Sequence, residues 1–173
     1  LRAMLAVVDS GGQAVLLAPT EVLAQQHYRN FHNLLGDLAE GGMLGGNALG
    51  TQIAILTGSM SSQEKREALG AIASGSIGLV VGTHALLSDH VEFADLGLIV
   101  VDEQHRFGVE QRDALREKAI EPPHVLVMTA TPIPRTVAMT IFGDLDVSTL
   151  RELPLGRSPI TTHVVAANAK PQH

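Results

Sequence analysis

The sequence contains no cysteine and no tryptophan, and aromatic residues occupy only 3% of its 173 positions. The absence of cysteine excludes a disulfide scaffold, a thiolate metal site and a cysteine nucleophile. The scarcity of aromatic side chains argues against a base-stacking platform like that of single-strand-binding proteins. Basic residues are also few, with 12 Lys and Arg against 18 Asp and Glu, for a formal net charge of −6. Any contact with nucleic acid must therefore be local or shared with other domains.

Long apolar runs are missing as well. The strongest apolar stretches, such as residues 98–101, are far shorter than the roughly 20 residues that a membrane-spanning helix needs. No charged-then-apolar leader opens the sequence, so we expect a cytoplasmic protein with no membrane partner. The chain is 45% hydrophobic and 17% charged, a composition typical of a globular protein, and its length favours one domain.

Short apolar runs alternate with helical stretches along the chain. Five runs bounded by turn residues are typical of strands buried on both faces of a sheet: residues 14–18, 53–56, 77–81, 98–101 and 125–128. Thr20 is expected to begin one helix, and Ser61 with Glu64 to form a capping box for another, which Gly75 should end. The alternation predicts an α/β fold, a parallel sheet with helices on both faces and ligands at the carboxyl ends of its strands.

Polar residues follow each predicted strand. Asp102 and Glu103 come directly after the run 98–101. A carboxylate at the end of an apolar strand can hold a nucleotide-bound Mg²⁺, and the next acid can orient or deprotonate a water molecule that attacks the terminal phosphate. The alternative interpretation is a solvated Asp-Glu pair with no chemical role.

The letters DEQH at residues 102–105 resemble motif II of superfamily 2 helicases, most closely the RecG type, which acts on branched DNA. Four other segments resemble further motifs and stand in the order of the family. Residues 18–27 resemble motif Ia, residues 57–59 and 81–86 resemble the next conserved turns, and residues 128–136 resemble motif III. The five ordered matches cover most of the chain.

The resemblance implies a RecA-like (P-loop NTPase) motor lobe that uses ATP and Mg²⁺. Asp102 would hold Mg²⁺ through water, Glu103 would activate the attacking water, and Gln104 and His105 would complete the catalytic group. Two further sets of residues follow from the resemblance. DNA-backbone contacts are expected at Pro19, Thr20, Thr83 and His84, and coupling to a second lobe at Thr129, Ala130 and Thr131.

A phosphate-binding loop is missing from the sequence. The loop requires a strand followed by G-x-x-x-x-G-K-[ST], and although Gly45 and Gly50 have the glycine spacing, Thr51 stands in the lysine position. The resemblance therefore implies a partial ATP-binding domain at residues 1–150, without the P-loop strand, and a linker at 151–173. The partners would be branched or duplex DNA and, in the same intact chain, a second RecA-like lobe and a wedge domain. The intact bacterial enzyme would remodel stalled forks and Holliday junctions in recombination and repair, whereas the fragment alone should be inactive.

Other interpretations stay open. A transcription-repair coupling translocase would use the same chemistry, and a non-catalytic α/β binding module would need none. A Rossmann dehydrogenase fits poorly, because no G-x-G-x-x-G follows the first strand. The remaining histidines predict no metal site: His27 and His32 are five positions apart, and no HExxH spacing occurs.

Overall fold

The computed structural model describes residues 1–36, 51–103, 109–130 and 146–150. The chain divides into two compact units, Leu1–Pro132 and Ile133–His173. The described helices and strands all lie in the first unit, and residues 146–150 of the second form an exposed segment without helix or strand. The predicted boundary between the ATP-binding domain (residues 1–150) and the linker (residues 151–173) stays a prediction. No helix in the described ranges has the length and apolar character to cross a bilayer.

The first unit is a five-stranded parallel sheet with helices on both faces, as predicted. The strand order is β2-β3-β1-β4-β5, and each strand agrees with its predicted run to within two residues. The strands are β1 (Gln13–Leu17), β2 (Gln52–Leu56), β3 (Ile77–Gly82), β4 (Leu96–Val101) and β5 (His124–Val127). The helices are α1 (Arg2–Asp9), α2 (Glu21–Leu35), α3 (Ser62–Ala73) and α4 (Val109–Arg116), with a 3-10 helix at His84–Leu87.

Two hydrophobic cores cover the two faces of the sheet. Successive residues of a strand point to opposite faces, so on β4 Leu98 and Val100 pack in the core that contains residues of α1 and α2. Ile99 and Val101 pack in the opposite core, with residues of α3, the 3-10 helix and α4. Because both of their faces are covered, strands β1, β3 and β4 are buried along almost their whole length. This burial explains why their sequences are nearly continuous apolar runs.

The predicted helix signals are confirmed. The Thr20 hydroxyl accepts a 3.3 Å hydrogen bond from the Leu23 amide at the start of α2. Ser61 and Glu64 form a capping box at the start of α3, in which each side chain accepts a bond from the backbone of the other. Helix α3 ends just before Gly75, whose φ of +75° lies in the left-handed region that glycine adopts without strain.

A buried glutamine ties together the segments at the amino ends of the strands. Gln13 is 2% exposed, and its amide donates to the carbonyls of Ile72 (2.9 Å) and Ile77 (2.8 Å). Its carbonyl accepts from the backbone amides of Ala94 (2.7 Å) and Asp95 (3.1 Å). All four hydrogen-bonding positions of the side chain are thus satisfied. Gln13 therefore closes the amino edge of the sheet, and ligands are expected at the carboxyl edge.

Candidate active site

The polar turns meet at the carboxyl edge of the sheet. The backbone ladder continues one residue past the strand ends, since the Asp102 amide donates to the Leu17 carbonyl at 3.0 Å. The Met128 amide likewise donates to the Val101 carbonyl at 2.9 Å. The parallel register thereby brings together the residues that follow β1, β4 and β5, as the alternation of strands and helices predicts.

Asp102 is held by a histidine of helix α2. His27 Nε2 lies 2.7 Å from Asp102 Oδ2, and the two side chains are 24% and 18% exposed. An ionised carboxylate has only acceptor positions, so the imidazole nitrogen donates this bond. The other oxygen, Oδ1, has no hydrogen-bond partner among the residues described. The carboxylate is therefore fixed through Oδ2, and Oδ1 is left without a hydrogen bond from any residue that the structure describes.

The contact of His27 with Asp102 is one that spacing arguments did not indicate. A search for two histidines on one helical face, or for a metal motif, gives His27 no role. The available signal was its position on the apolar stripe of α2, three residues after Ala24 and four before Phe31, both of which are buried. That stripe faces the sheet, and a polar ring on it needs a polar partner there.

Glu103 follows with an unusual backbone conformation. Its φ is +50°, in the left-handed region, and it is the one non-glycine residue with positive φ in the part of the chain that the structure describes. Non-glycine residues adopt this conformation uncommonly, and such residues concentrate at functional sites. Glu103 is half-buried. Its conformation ends the extended course of β4 and turns the chain immediately after Asp102.

A second carboxylate links two of the other turns. Glu21, at the start of α2, accepts a 2.9 Å hydrogen bond through Oε1 from the Ser59 backbone amide. Bonds from the Ser59 hydroxyl and then from its backbone amide lower the pKa of Glu21. Lys65 Nζ donates to the Gly58 carbonyl at 2.7 Å on the same turn. Glu21 therefore organises the turn after β2, a contact that sequence spacing did not indicate.

The predicted DNA contacts differ in accessibility. Thr20 and His84 are exposed and Pro19 is half-buried. Thr83, in contrast, is only 1% exposed; its amide donates to the Leu56 carbonyl at 3.2 Å. Its hydroxyl oxygen is buried and has no hydrogen-bond partner among the described residues. The predicted DNA contact at Thr83 stays a prediction; in this structure the Thr83 hydroxyl is buried, so a contact there would use another group of the turn or a different conformation.

The remaining predicted site residues are described only in part. Thr129 and Ala130 come one residue after the end of β5 and are exposed. Gln104, His105 and Thr131 lie outside the described residues, and their predicted roles stay predictions.

The carboxylates at the carboxyl edge fit Mg²⁺ only if phosphate oxygens of a nucleotide and water molecules supply the other ligands. No cluster of three or more His, Cys, Asp or Glu side chains that could hold a metal occurs within the described ranges. Mg²⁺ in phosphate-binding sites usually has one or two carboxylates and otherwise uses water and phosphate oxygens. Asp102, whose Oδ1 makes no hydrogen bond to a described residue, and Glu103 next to it in sequence match that minimal set.

Thr51, which stands in the lysine position of the glycine spacing, lies at the opposite edge of the sheet from the candidate active site. Thr51 immediately precedes β2 and so lies at the amino end of that strand. The candidate active site is at the carboxyl ends. This placement supports the interpretation that residues 45–50, which lie outside the described residues, are not the phosphate loop of this site.

Comparison with known proteins identifies the family. The family model of the DEAD/DEAH box helicases matches residues 1–140. The chain belongs to the DEAD/DEAH box helicase family. Within the matched range lie all five turns at the carboxyl edge, including Asp102 and Glu103. In this chain the α/β fold predicted from the alternation of strands and helices is the RecA-like one.

Several RecG proteins are similar to this chain. It is 61% identical over 171 residues to the ATP-dependent DNA helicase RecG of Mycobacterium tuberculosis. It is 51% identical over 170 residues to the RecG of Streptococcus pneumoniae. Each match covers 98% of this chain but 23% of the relative. The chain thus spans about a quarter of the length of these curated relatives.

Solved structures of helicases have a similar fold. A RecG bound to a three-way DNA junction matches with a TM-score of 0.65 and 36% identity, over 90% of this chain and 20% of that one. A DEAD box protein from Methanococcus jannaschii matches with a TM-score of 0.54 at 21% identity, over 78% of this chain and 36% of that one. The second likeness shows the fold alone.

Proposed function

We propose that this chain forms part of the first motor lobe of an ATP-dependent DNA helicase of the RecG type. The intact bacterial protein, in the cytoplasm, would act on branched DNA such as stalled forks and Holliday junctions during recombination and repair. One observation carries the proposal: the Asp102-Glu103 pair lies at the carboxyl edge of a RecA-like sheet, in a chain 61% identical to a RecG over 98% of its length.

The two acids divide the chemistry between them. Asp102 Oδ1 would hold a water molecule of the nucleotide-bound Mg²⁺, since Oδ2 is engaged by His27. The metal, when bound, neutralises charge that develops on the phosphates. Glu103 would orient the attacking water and accept its proton, and its left-handed backbone turns it out of the strand direction that Asp102 still follows.

DNA would contact the same edge through the turns after β1 and β3. Thr20 and His84 are exposed there, and backbone amides at the start of α2 suit a phosphate group. Such contacts position a duplex without reading its sequence. The net charge of −6 means that this lobe would supply a local contact and that other parts of the intact protein would supply most of the electrostatic attraction.

The test is turnover of ATP by the intact protein that contains this chain, with a three-way DNA junction, a linear duplex or no DNA. We expect the junction to stimulate hydrolysis most. Glu103→Gln should still bind ATP but lose roughly 10²- to 10⁴-fold in kcat, the usual contribution of a positioned base. Glu92→Gln is the matched control, because Glu92 is exposed and precedes β4 at its amino end, away from the site.

Other outcomes separate the alternatives. Full turnover in Glu103→Gln would remove the catalytic assignment. Stimulation by linear duplex equal to that by the junction would favour a transcription-repair coupling translocase. Failure of the unmodified protein to bind or hydrolyse ATP would leave only the non-catalytic binding module.

A further inference from the structure

A short polar contact at the candidate active site joins residues 75 positions apart in sequence. His27 Nε2 and Asp102 Oδ2 are 2.7 Å apart. This distance falls in the range of charge-assisted hydrogen bonds, which are shorter and stronger than neutral ones. Both side chains are largely screened from solvent, at 24% and 18% exposed. The contact is therefore held inside the edge of the fold, unlike an ion pair on an open surface.

Packing fixes the position of the imidazole. Ala24, one turn before His27, is fully buried and lets α2 approach the sheet closely. Phe31, one turn after it, is 6% exposed, and its ring centroid lies 6.3 Å from that of the histidine at an interplanar angle of 47°. The ring is therefore confined between the helix and the sheet on the side that faces Asp102.

Packing also fixes the aspartate. Leu98 and Val100 face the core that contains α2, and the alternation of side chains carries Asp102 to the same face. Its backbone amide is bonded to the Leu17 carbonyl, so the residue is still part of the sheet. The bond from His27 then restrains the rotation of its carboxylate.

We infer that His27 is a positioning residue for Asp102: by occupying Oδ2 it holds the carboxylate in one orientation and leaves Oδ1 for a water molecule of the nucleotide-bound Mg²⁺. The inference rests on the proposed function. Carboxylates that serve metals are themselves held by hydrogen bonds from neighbouring groups, and loss of such a neighbour typically lowers metal affinity or activity by about 10- to 100-fold. His27 has the position and the donor for that task, although it touches neither nucleotide nor metal.

The experiment uses the intact protein and three variants on α2. His27→Leu removes the donor with little change in volume, and His27→Gln keeps an amide donor that can reach Oδ2. His32→Leu is the matched control, because His32 is a half-buried histidine on the same helix whose Nε2 has no hydrogen-bond partner among the described residues. The probe is Mn²⁺, titrated by electron paramagnetic resonance in the presence of a non-hydrolysable ATP analogue. Steady-state ATPase and the thermal midpoint are measured on the same samples.

We expect His27→Leu to raise the Mn²⁺ dissociation constant, and the Mg²⁺ concentration for half-maximal turnover, by about 10- to 100-fold. The KM for ATP at saturating Mg²⁺ should change little. His27→Gln should recover Mn²⁺ affinity to within about threefold, and His32→Leu should match the unmodified protein.

Two results would overturn the inference. One is unchanged Mn²⁺ affinity in His27→Leu. The other is equal loss in His27→Leu and His27→Gln together with equal falls in thermal midpoint, which would indicate a merely structural role. Asp102→Asn separates the two proposals: if it loses Mn²⁺ affinity while His27→Leu does not, only the inference on His27 fails. If Asp102→Asn also keeps full affinity and turnover, the proposed function itself fails.

Discussion

Replacement of Gln13 by an apolar residue should lower the free energy of unfolding. The loss should exceed that for the same replacement of Gln52, the other glutamine in the described strands. The Gln13 side chain makes four hydrogen bonds to backbone groups of three segments, over distances of 2.7 to 3.1 Å. Gln13→Met preserves the length of the side chain and removes all four. At about 1 kcal/mol net for each bond, the loss is about 4 kcal/mol. The apolar gain of the methionine offsets about 1 kcal/mol, which leaves an expected loss of about 3 kcal/mol.

The assay is urea unfolding of the chain followed by far-ultraviolet circular dichroism, since the chain has no tryptophan and one tyrosine. With an m-value of about 2 kcal/mol/M, a loss of this size lowers the midpoint by about 1.5 M urea. The matched control is Gln52→Met, because Gln52 also begins a strand at this edge, is half-buried, and makes no side-chain hydrogen bond to a described residue. It should change stability by less than about 1 kcal/mol.

A local measurement checks the mechanism. The backbone amides of Ala94 and Asp95 donate to Gln13 Oε1, so Gln13→Met should speed their hydrogen exchange by about fivefold, which corresponds to about 1 kcal/mol for each lost bond. Equal midpoints for Gln13→Met and Gln52→Met, or unchanged exchange at these two amides, would refute the reasoning.

Two further predictions concern the turns at the carboxyl edge. Gly82→Ala should cost roughly 1–3 kcal/mol from overpacking, because an added Cβ would clash with the Leu56 carbonyl oxygen. Gly70→Ala lies inside α3, where no atom is within 4 Å of the added Cβ, and should instead stabilise the fold by roughly 0.5–1 kcal/mol. The same urea titration compares the two variants. A change in stability of the same sign in both would contradict the packing argument. The pKa of Glu21 is lower in the folded chain than in the unfolded chain, because Ser59 donates hydrogen bonds to its carboxylate. The contact therefore stabilises the fold at any pH above the unfolded pKa. This stabilisation is lost as the pH falls through the folded pKa. The Ser59 amide resonance should therefore titrate in acid, and Glu21→Gln should abolish that titration; a titration that persists in Glu21→Gln would assign it to another group.

The order of strands and helices, the helix caps and the position of the acid pair could all be predicted from the sequence. These features depend on local physics. Apolar runs bounded by turn residues indicate buried strands, and the Ser61-Glu64 spacing is itself the capping interaction. A parallel sheet has one carboxyl edge, so the turn after each strand is located as soon as the strands are recognised.

The contacts across the edge could not be predicted in this way. His27 and Asp102 meet because α2 packs on the face of the sheet toward which Asp102 points, and Glu21 reaches Ser59 across 38 positions of sequence. Thr83 was placed correctly in its turn, but its burial depends on the neighbouring strand, to which its amide is bonded.

The sequence by itself determined which residues reach the carboxyl edge, because the alternation of apolar runs and helices specifies the sheet. Only the tertiary structure decided which of those side chains are open to ligands and which are held by one another. That choice depends on the crossing of helix α2 over the sheet, and no local spacing encodes it.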